Sequence, residues 1–165
     1  MIKIYKDRIS STQDELKLNF EKYLHGTFLC AGFQTKGHGQ FDRVWESKDK
    51  ENVLCSLLLK NNRYFDHIQL TVSDLMMTLL ESYQISSTFK APNDVMIGDK
   101  KICGVIVDQI FEGDHLQATI IGIGLNVNQE TFAIDTATSM KCQTKKHYNV
   151  DDISSHIYNI LKRFI

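Results

Sequence analysis

Apolar residues follow two different spacings along this chain, and the spacing distinguishes strands from helices. Alternation at the start of the chain predicts a short edge strand over 2–5. Apolar residues on either side of Gly98-Asp99 are typical of a hairpin that pairs 95–97 with 102–110. Short apolar runs predict further strands at 27–33, 53–59, 86–90 and 116–127.

Helical spacing occurs in three segments. The hydroxyl groups of 10–12 can cap a helix in which Leu16, Phe20 and Leu24 lie one turn apart, which predicts a helix over about 12–24. The other two helices are predicted at about 69–83 and 151–164. Because strands outnumber helices and pair locally, we expect an α+β domain with a mixed, mostly antiparallel sheet flanked by helices.

Length and charge narrow the classes of function. A chain of 165 residues is expected to form a single domain spanning 1–165. It carries 19 Lys and Arg against 20 Asp and Glu, a net charge of −1. Such a chain has no electrostatic reason to hold duplex DNA or an anionic membrane over its whole surface. We therefore expect neither DNA nor a membrane as a partner, and any anionic ligand must be bound locally.

Cysteine spacing and the first residues predict a cytoplasmic location. The cysteines are widely spaced and include no C-x-x-C pair. Three of them lie within apolar runs, which favours buried free thiols in a reducing compartment over zinc or disulfides. The start of the chain is charged, and no apolar stretch is long enough to span a membrane.

Four polar segments hold residues that a hydrophobic core does not need. The first is Ser-Thr-Gln at 11–13, which by itself is typical of an N-cap. The second is the loop 34–45, where Gly37 and Gly39 let backbone N–H groups approach a ligand and basic side chains add positive charge. This composition suits a bound phosphate or carboxylate, and it is equally typical of a flexible surface loop.

The third segment runs from Lys90 to Asp94 and continues after the predicted hairpin turn at Lys101. If the hairpin pairs as predicted, Asp94 and Lys101 lie near each other. A lysine beside a carboxylate can stabilise charge that develops on a phosphoryl oxygen. By itself, the same pattern also describes a charged hairpin end.

The fourth segment is 121–128, with the sequence IGIGLNVN. Glycines inside a strand permit close approach by a ligand or another backbone. Asn126 and Asn128 share one face and can contact a metal-bound phosphate. A bulge at a strand end would have the same pattern.

Taken together and in this order, the four segments resemble the biotin protein ligases of the biotin/lipoate ligase fold. The family landmarks are a Ser-Thr-Asn start, a Q-T-x-G-R-G-R-x-G-R-x-W loop, a K-W-P-N-D turn, a K-x-x-G-I-L-V-E strand and a G-I-G-I-N-V-N strand. The resemblance covers residues 11 to about 129. The corresponding segments are 11–13, 34–45, 90–94, 101–108 and 122–128, of which the last three match closely.

The resemblance implies an ATP-dependent ligase with a class II synthetase-like fold. In this family the biotin carboxylate attacks the α-phosphate of ATP, which gives biotinoyl-AMP and pyrophosphate. A lysine of a biotin carboxyl carrier domain then attacks the mixed anhydride. ATP, Mg²⁺ and biotin are therefore the implied cofactors and substrate, and the carrier domain is the implied partner.

The matching positions imply a role for each site residue. The implied catalytic residues are Lys101, Asp94 and Arg43. The implied biotin-binding residues are Ser11, Thr12, Gln13, Gln34, Gly37, His38, Gly39 and Gly104. The implied ATP-binding residues are Gln40, Arg43, Trp45, Asn93, Lys101 and Asn126, and Asn126 is also the implied Mg²⁺ contact.

The loop departs from the family pattern. His38 and Gln40 stand where the family pattern has arginines, Phe41 occupies the variable position that follows, and Arg43 alone remains. Each lost charge-assisted donor to phosphate costs a few kcal/mol if it is buried in the complex. This loss motivates an alternative, a non-catalytic module that binds biotin or its adenylate.

A second alternative is a lipoate or octanoate ligase of the same fold, which needs an extended apolar tunnel instead of hydrogen-bonding partners for a ureido group. We also expect neither an N-terminal DNA-binding domain nor a C-terminal SH3-like domain, since the match begins near Met1 and the chain stops at Ile165. A monomer and a homodimer both remain open. The polar loop 36–44 is expected to be mobile without ligand.

Overall fold

The computed structural model describes residues 2–60 and 63–165, apart from the side chain of Asp42. The described residues form one sheet of seven strands. The strands are β1 (Ile2–Ile9), β2 (Thr27–Gln34), β3 (Asn52–Leu59), β4 (Thr88–Lys90), β5 (Asp94–Ile97), β6 (Lys100–Glu112) and β7 (His115–Asn126). The helices are α1 (Thr12–Leu18), α2 (Ile68–Ser82), α3 (Met140–Thr144) and α4 (Val150–Leu161).

The strand order is β1-β2-β3-β7-β6-β5-β4. The β1–β2 pair is parallel and every other pair is antiparallel. Helices cover the sheet on both faces, so the expected α+β class with a mixed, mostly antiparallel sheet is confirmed. The predicted hairpin is present as well, with Gly98 at a φ of 59° in its turn. In that turn the left-handed backbone suits glycine.

Alternation along the central strands divides the buried side chains between two faces. One face packs against α2 and α4 and forms the larger core, to which β3 contributes Cys55, Leu57 and Leu59. The opposite face packs against α1 through Leu16, Leu29, Leu58, Ala118 and Ile120. Because α1 covers only part of its face, the remainder of that face is left for a site.

The first helix is shorter than its spacing predicts. It ends at Leu18, and a 3₁₀ turn over Phe20–Lys22 follows. Leu24 is 66% exposed, so the predicted apolar face is buried only in part. The Lys60 ammonium donates hydrogen bonds to the carbonyls of Phe20 and Tyr23, and these bonds stabilise the turn in place of further helix.

Two further elements differ from the sequence-based expectation. β1 continues to Ile9 through charged residues, because its backbone pairs with β2 over almost its whole length. The short helix α3 was not predicted; its N-cap is Ser139, whose side chain accepts from the Cys142 N–H. Cys30, Cys55 and Cys103 are buried free thiols, as predicted. Among the described residues, no helix is long and apolar enough to cross a membrane.

Candidate active site

The floor of the site is set by the register of four adjacent strands, β3, β7, β6 and β5. Leu54 pairs with Gly124, which pairs with Gly104, and Gly104 pairs with Asp94, so these residues form one row across the sheet. Two glycines in the middle of the row leave a depression in the sheet surface. A Cβ added at Gly124 would lie 2.6 Å from Cε2 of Trp45, so the indole ring lies directly on this floor.

Polar side chains close one end of the depression. The Thr12 N–H donates to Gln34 Oε1 at 2.7 Å, and the Thr12 hydroxyl lies 2.9 Å from Ser56 Oγ. Ser56 in turn donates to Gln13 Oε1 at 3.0 Å. Thr12, Gln13 and Ser56 are each almost fully buried, so this end presents fixed donors and acceptors to a ligand.

Asp108 continues this network away from the pocket. It accepts hydrogen bonds from Gln13 Nε2 at 2.8 Å and from Lys17 Nζ at 2.6 Å. Burial by itself raises the pKa of Asp108, but the hydrogen bonds from Lys17 and Gln13 outweigh it and hold the pKa below its ordinary value. The ionised carboxylate therefore orients the Gln13 amide.

The glycine-containing loop forms a roof over the pocket. The Gly39 N–H donates to the Arg43 carbonyl and the Trp45 N–H to the Gly37 carbonyl, which makes the loop a narrow hairpin. His38 Nε2 lies 2.9 Å from Asp14 Oδ1 and fastens the hairpin to α1. Burial by itself lowers the pKa of His38, but the bonds to Asp14 and to the Gly39 carbonyl outweigh it and raise the pKa.

Lys101 lies at the junction of two cavities. The smaller is the pocket beneath the roof, with about 30 Å³ of free space. The larger has about 470 Å³ and is lined by Asp94, Asn126 and residues 132–134 and 136–137. Lys101 and Trp45 line both cavities. The Lys101 ammonium lies 2.5 Å from Asp94 Oδ1 and 5.3 Å from the centre of the indole ring.

The small pocket has room for little more than one water molecule. Trp45 takes up much of the floor, since it lies against the positions of Cβ atoms at both Gly104 and Gly124. The buried indole Nε1 has no hydrogen-bond partner. Entry of a bicyclic ligand therefore requires the roof or the indole to move. The expected mobility of the loop remains a prediction.

Asn126 has one unused acceptor in the larger cavity. Its Nδ2 donates to the Thr138 carbonyl at 3.0 Å, whereas its buried Oδ1 has no partner. An amide oxygen is a suitable ligand for Mg²⁺. The described residues contain no cluster of three or more His, Cys, Asp or Glu side chains that could hold a metal. These residues fit a Mg²⁺ ion that takes most of its ligands from phosphates and water.

The structure places most of the predicted site residues around these two cavities. The smaller is lined by Ser11, Thr12, Gln13, Gln34, His38, Gly39, Trp45, Asn93, Lys101 and Gly104. The larger is lined by Arg43, Trp45, Asp94, Lys101 and Asn126. The roles of these residues remain predictions.

Three of the predicted site residues have different surroundings in the structure from those expected. Gln40, predicted on the ATP side, lies in a separate groove with Asp108. Asn93 lies on the smaller cavity and holds the hairpin by accepting from the Val105 N–H. Gly37 is buried beside Gln34, where a Cβ would lie 2.9 Å from Gln34 Nε2.

Sequence reasoning missed Ser56, Asp108 and Glu46. Ser56 interrupts an otherwise apolar strand, VLCSLLL, and that single polar residue is the available signal. Asp108 follows the apolar run 102–107, and the sequence alone does not show that it lies within hydrogen-bond distance of Gln13 and Lys17. Glu46 follows Trp45 and accepts a hydrogen bond from the Ala133 N–H, 87 residues later in the chain.

Comparison with known proteins gives a consistent result. A model of the biotin/lipoate A/B protein ligase family matches residues 5–126. The bifunctional ligase/repressor BirA of Bacillus spizizenii is 31% identical over 93% of this chain and 50% of its own length. BirA of Bacillus subtilis is 36% identical over 77% of this chain and 41% of its own. The chain thus spans half or less of the curated relatives it matches.

Solved structures agree with the sequence relatives. The biotin protein ligase from Aquifex aeolicus in complex with biotin and ATP superposes with a TM-score of 0.84. It is 28% identical and covers 98% of this chain and 69% of its own. The apo structure of the same ligase gives a TM-score of 0.80. The fold of this chain is thus shared with a structurally characterised ligase. The chain belongs to the biotin/lipoate A/B protein ligase family.

Proposed function

We propose that this chain is the catalytic domain of a biotin protein ligase, which activates biotin with ATP and transfers it to a lysine of a biotin carboxyl carrier domain. The observation that carries this proposal is the position of Lys101 at the junction of the two cavities. A cation at that junction can contact a carboxylate on one side and a phosphate on the other.

In the first step, a carboxylate oxygen of biotin attacks the α-phosphorus of ATP, and the bond to the pyrophosphate oxygen breaks. The Lys101 ammonium offsets the repulsion between the two anions and stabilises charge on the α-phosphoryl oxygens. Thr12, Gln13 and Ser56 supply the fixed hydrogen-bonding groups for the ureido head. Asn126 would help to hold Mg²⁺, which neutralises phosphate charge when it is bound.

In the second step, the amine of the acceptor lysine attacks the acyl carbon and AMP leaves. Asp94 lies at the open cavity and assists by accepting a proton from that amine. Its contact with the Lys101 ammonium holds the carboxylate in place. We propose a cytoplasmic location for this reaction, which the buried free thiols support.

Biotin-dependent exchange of labelled pyrophosphate into ATP tests the proposal, with lipoate and octanoate as parallel substrates. We expect exchange with biotin and Mg²⁺ only. Exchange with lipoate or octanoate alone would assign the chain to the sister activity instead. A folded sample that binds biotin without any exchange would identify a non-catalytic binding module, consistent with the missing loop arginines.

A further inference from the structure

Glu46 connects the two walls of the larger cavity. It follows Trp45 directly, at the point where the roof loop leaves the site. Its Oε2 accepts a hydrogen bond from the Ala133 N–H at 2.8 Å, and its Oε1 accepts from Gln129 Nε2 at 3.4 Å. One carboxylate therefore fastens the loop to the segment after β7.

Gln129 is itself fixed. It is fully buried, its Nε2 also donates to the Thr131 carbonyl at 3.0 Å, and its Oε1 accepts from Asn52 Nδ2 at 2.6 Å. Asn52 belongs to β3, so the partner of Glu46 is anchored on the central sheet. A carboxylate bound to such an anchor holds a fixed position.

The segment that Glu46 fastens is residues 129–137, and its middle, residues 133–136, is exposed. Ala133 is exposed and Ile134 is 61% exposed, so packing contributes little there. Its far end is held by backbone hydrogen bonds between Lys101 and residues 136 and 138. At its near end the second tie from the loop is the exposed contact between Lys48 and Thr131.

Both connected segments line the larger cavity. Arg43, Val44, Trp45 and Glu46 line it on the loop side, and residues 132–134 with 136–137 line it on the side of the segment after β7. A change in the spacing of these walls changes the fit of any ligand between them. A misplacement of about 1 Å can cost up to about a hundredfold in rate.

We propose that Glu46 is a positioning residue that sets the width of the nucleotide cavity by bracing the roof loop against residues 129–133. This inference rests on the proposed function, since it assigns ATP to that cavity. The two hydrogen bonds of the Glu46 carboxylate go to Gln129 and Ala133, not to Lys101 or to the polar end of the small pocket, so we expect its effect to fall on the nucleotide more than on biotin.

Substitution of Glu46 tests whether its hydrogen bonds to Gln129 and Ala133, here called the brace, hold the loop in place. Glu46→Ala removes both acceptors, and we expect the KM for ATP in pyrophosphate exchange to rise about tenfold while the Kd for biotin stays within twofold. Glu46→Gln keeps one acceptor oxygen, so its KM for ATP should fall between those of the wild type and Glu46→Ala. Amide hydrogen exchange at Ala133 should accelerate in the same order.

Glu130→Gln is the matched control. Glu130 lies on the same segment and carries the same charge, but its carboxylate bonds to Lys141 at 2.7 Å and not to the loop. This variant should keep the wild-type KM for ATP. An unchanged KM and unchanged Ala133 exchange in Glu46→Ala would overturn the proposal, as would an equal loss in Glu130→Gln.

Failure of the proposed function can be distinguished from failure of this inference, because it would abolish pyrophosphate exchange in the wild type as well. If the wild type shows no exchange with any acid, the kinetic comparison is lost but the amide measurement remains. Faster exchange at Ala133 in Glu46→Ala alone would then support the brace, and equal rates in Glu46→Ala and the wild type would overturn it.

Discussion

The small pocket and the large cavity lie on opposite sides of Lys101, and their walls are built differently. The polar end of the small pocket is a closed network in which Thr12, Ser56 and Gln13 bond to one another and then to Asp108. The large cavity has about 470 Å³ of free space and keeps an unpartnered buried acceptor at Asn126. Its walls are joined by a few side-chain hydrogen bonds across sequence-distant loops.

This difference suits the two cavities to two tasks, selection of the small ligand and admission of larger ones. A preorganised pocket discriminates well, because an ill-fitting ligand leaves buried polar groups unpaired. A large cavity can admit a large charged ligand and later an acceptor. The position of that ligand then depends on the few hydrogen bonds that hold the cavity walls in place. Lys101 and Trp45 belong to both regions, so changes at these residues or at the floor beneath them should affect both tasks.

The largest effect is expected for Lys101→Ala, which removes the cation shared by the two cavities. We expect pyrophosphate exchange to fall at least a hundredfold, the order found when a single charge-stabilising donor is removed. The neighbouring Lys100 is exposed and provides the control Lys100→Ala. Lys101→Ala exchange within a few-fold of the wild type would remove the lysine from its proposed role.

A smaller effect is expected for Gly124→Ala, which adds a methyl group to the glycine floor of the small pocket. The new Cβ would lie 2.6 and 2.7 Å from indole carbons, so Trp45 must shift. We expect the Kd for biotin to rise about tenfold, a cost of about 1.4 kcal/mol that is typical of overpacking. Because the chain has a single tryptophan, its fluorescence spectrum should shift as well.

Gly113→Ala is the control for the floor. Gly113 lies in the β6–β7 turn with nothing within 4 Å of an added Cβ, although its φ of +58° makes alanine strained there. This variant should lose about 1 kcal/mol of stability at most and keep the wild-type Kd. If both variants lost affinity equally, the contact between Gly124 and Trp45 would not explain the result.

Sequence alone could predict the parts of the site that are contiguous. The glycines of 121–128 and the pair Asp94 and Lys101 lie in local strands and a local hairpin, so their spacing already indicates their faces. The α+β class follows from the same local pairing. These features depend on near neighbours, for which periodicity is informative.

Sequence alone could not predict what depends on long-range register. Ser56 enters the pocket because β3 pairs with β7, so that Ser56 lies opposite Gly122. Glu46 acquires its role from a segment far along the chain. The early end of α1 likewise depends on Lys60, a residue of another part of the fold. In each case a tertiary contact overrides or completes the local pattern.

The smallest effect is expected at the edge of the roof, for Asp14→Asn. His38 has a pKa raised above its ordinary value of 6.5, so its ion pair with Asp14 stabilises the fold below that value. The stabilisation is lost as the pH rises through the raised pKa. The free energy of unfolding should therefore drop more on Asp14→Asn at about pH 5.5 than at about pH 8.5, by about 0.2–1 kcal/mol.

Glu15→Gln separates this charge effect from a general loss of negative charge at the start of α1. Glu15 lies in the same first turn but accepts from the Tyr23 hydroxyl, not from His38. Its substitution should shift the free energy of unfolding equally at both pH values, because burial raises the pKa of its partner Tyr23 above the ordinary value and the phenol stays neutral at both. Lys17 and Asp108 also lie near His38, and Asp108 raises its pKa in both variants alike. A pH-independent loss in Asp14→Asn would show that the roof is held by hydrogen bonding alone, without a contribution from the imidazolium charge.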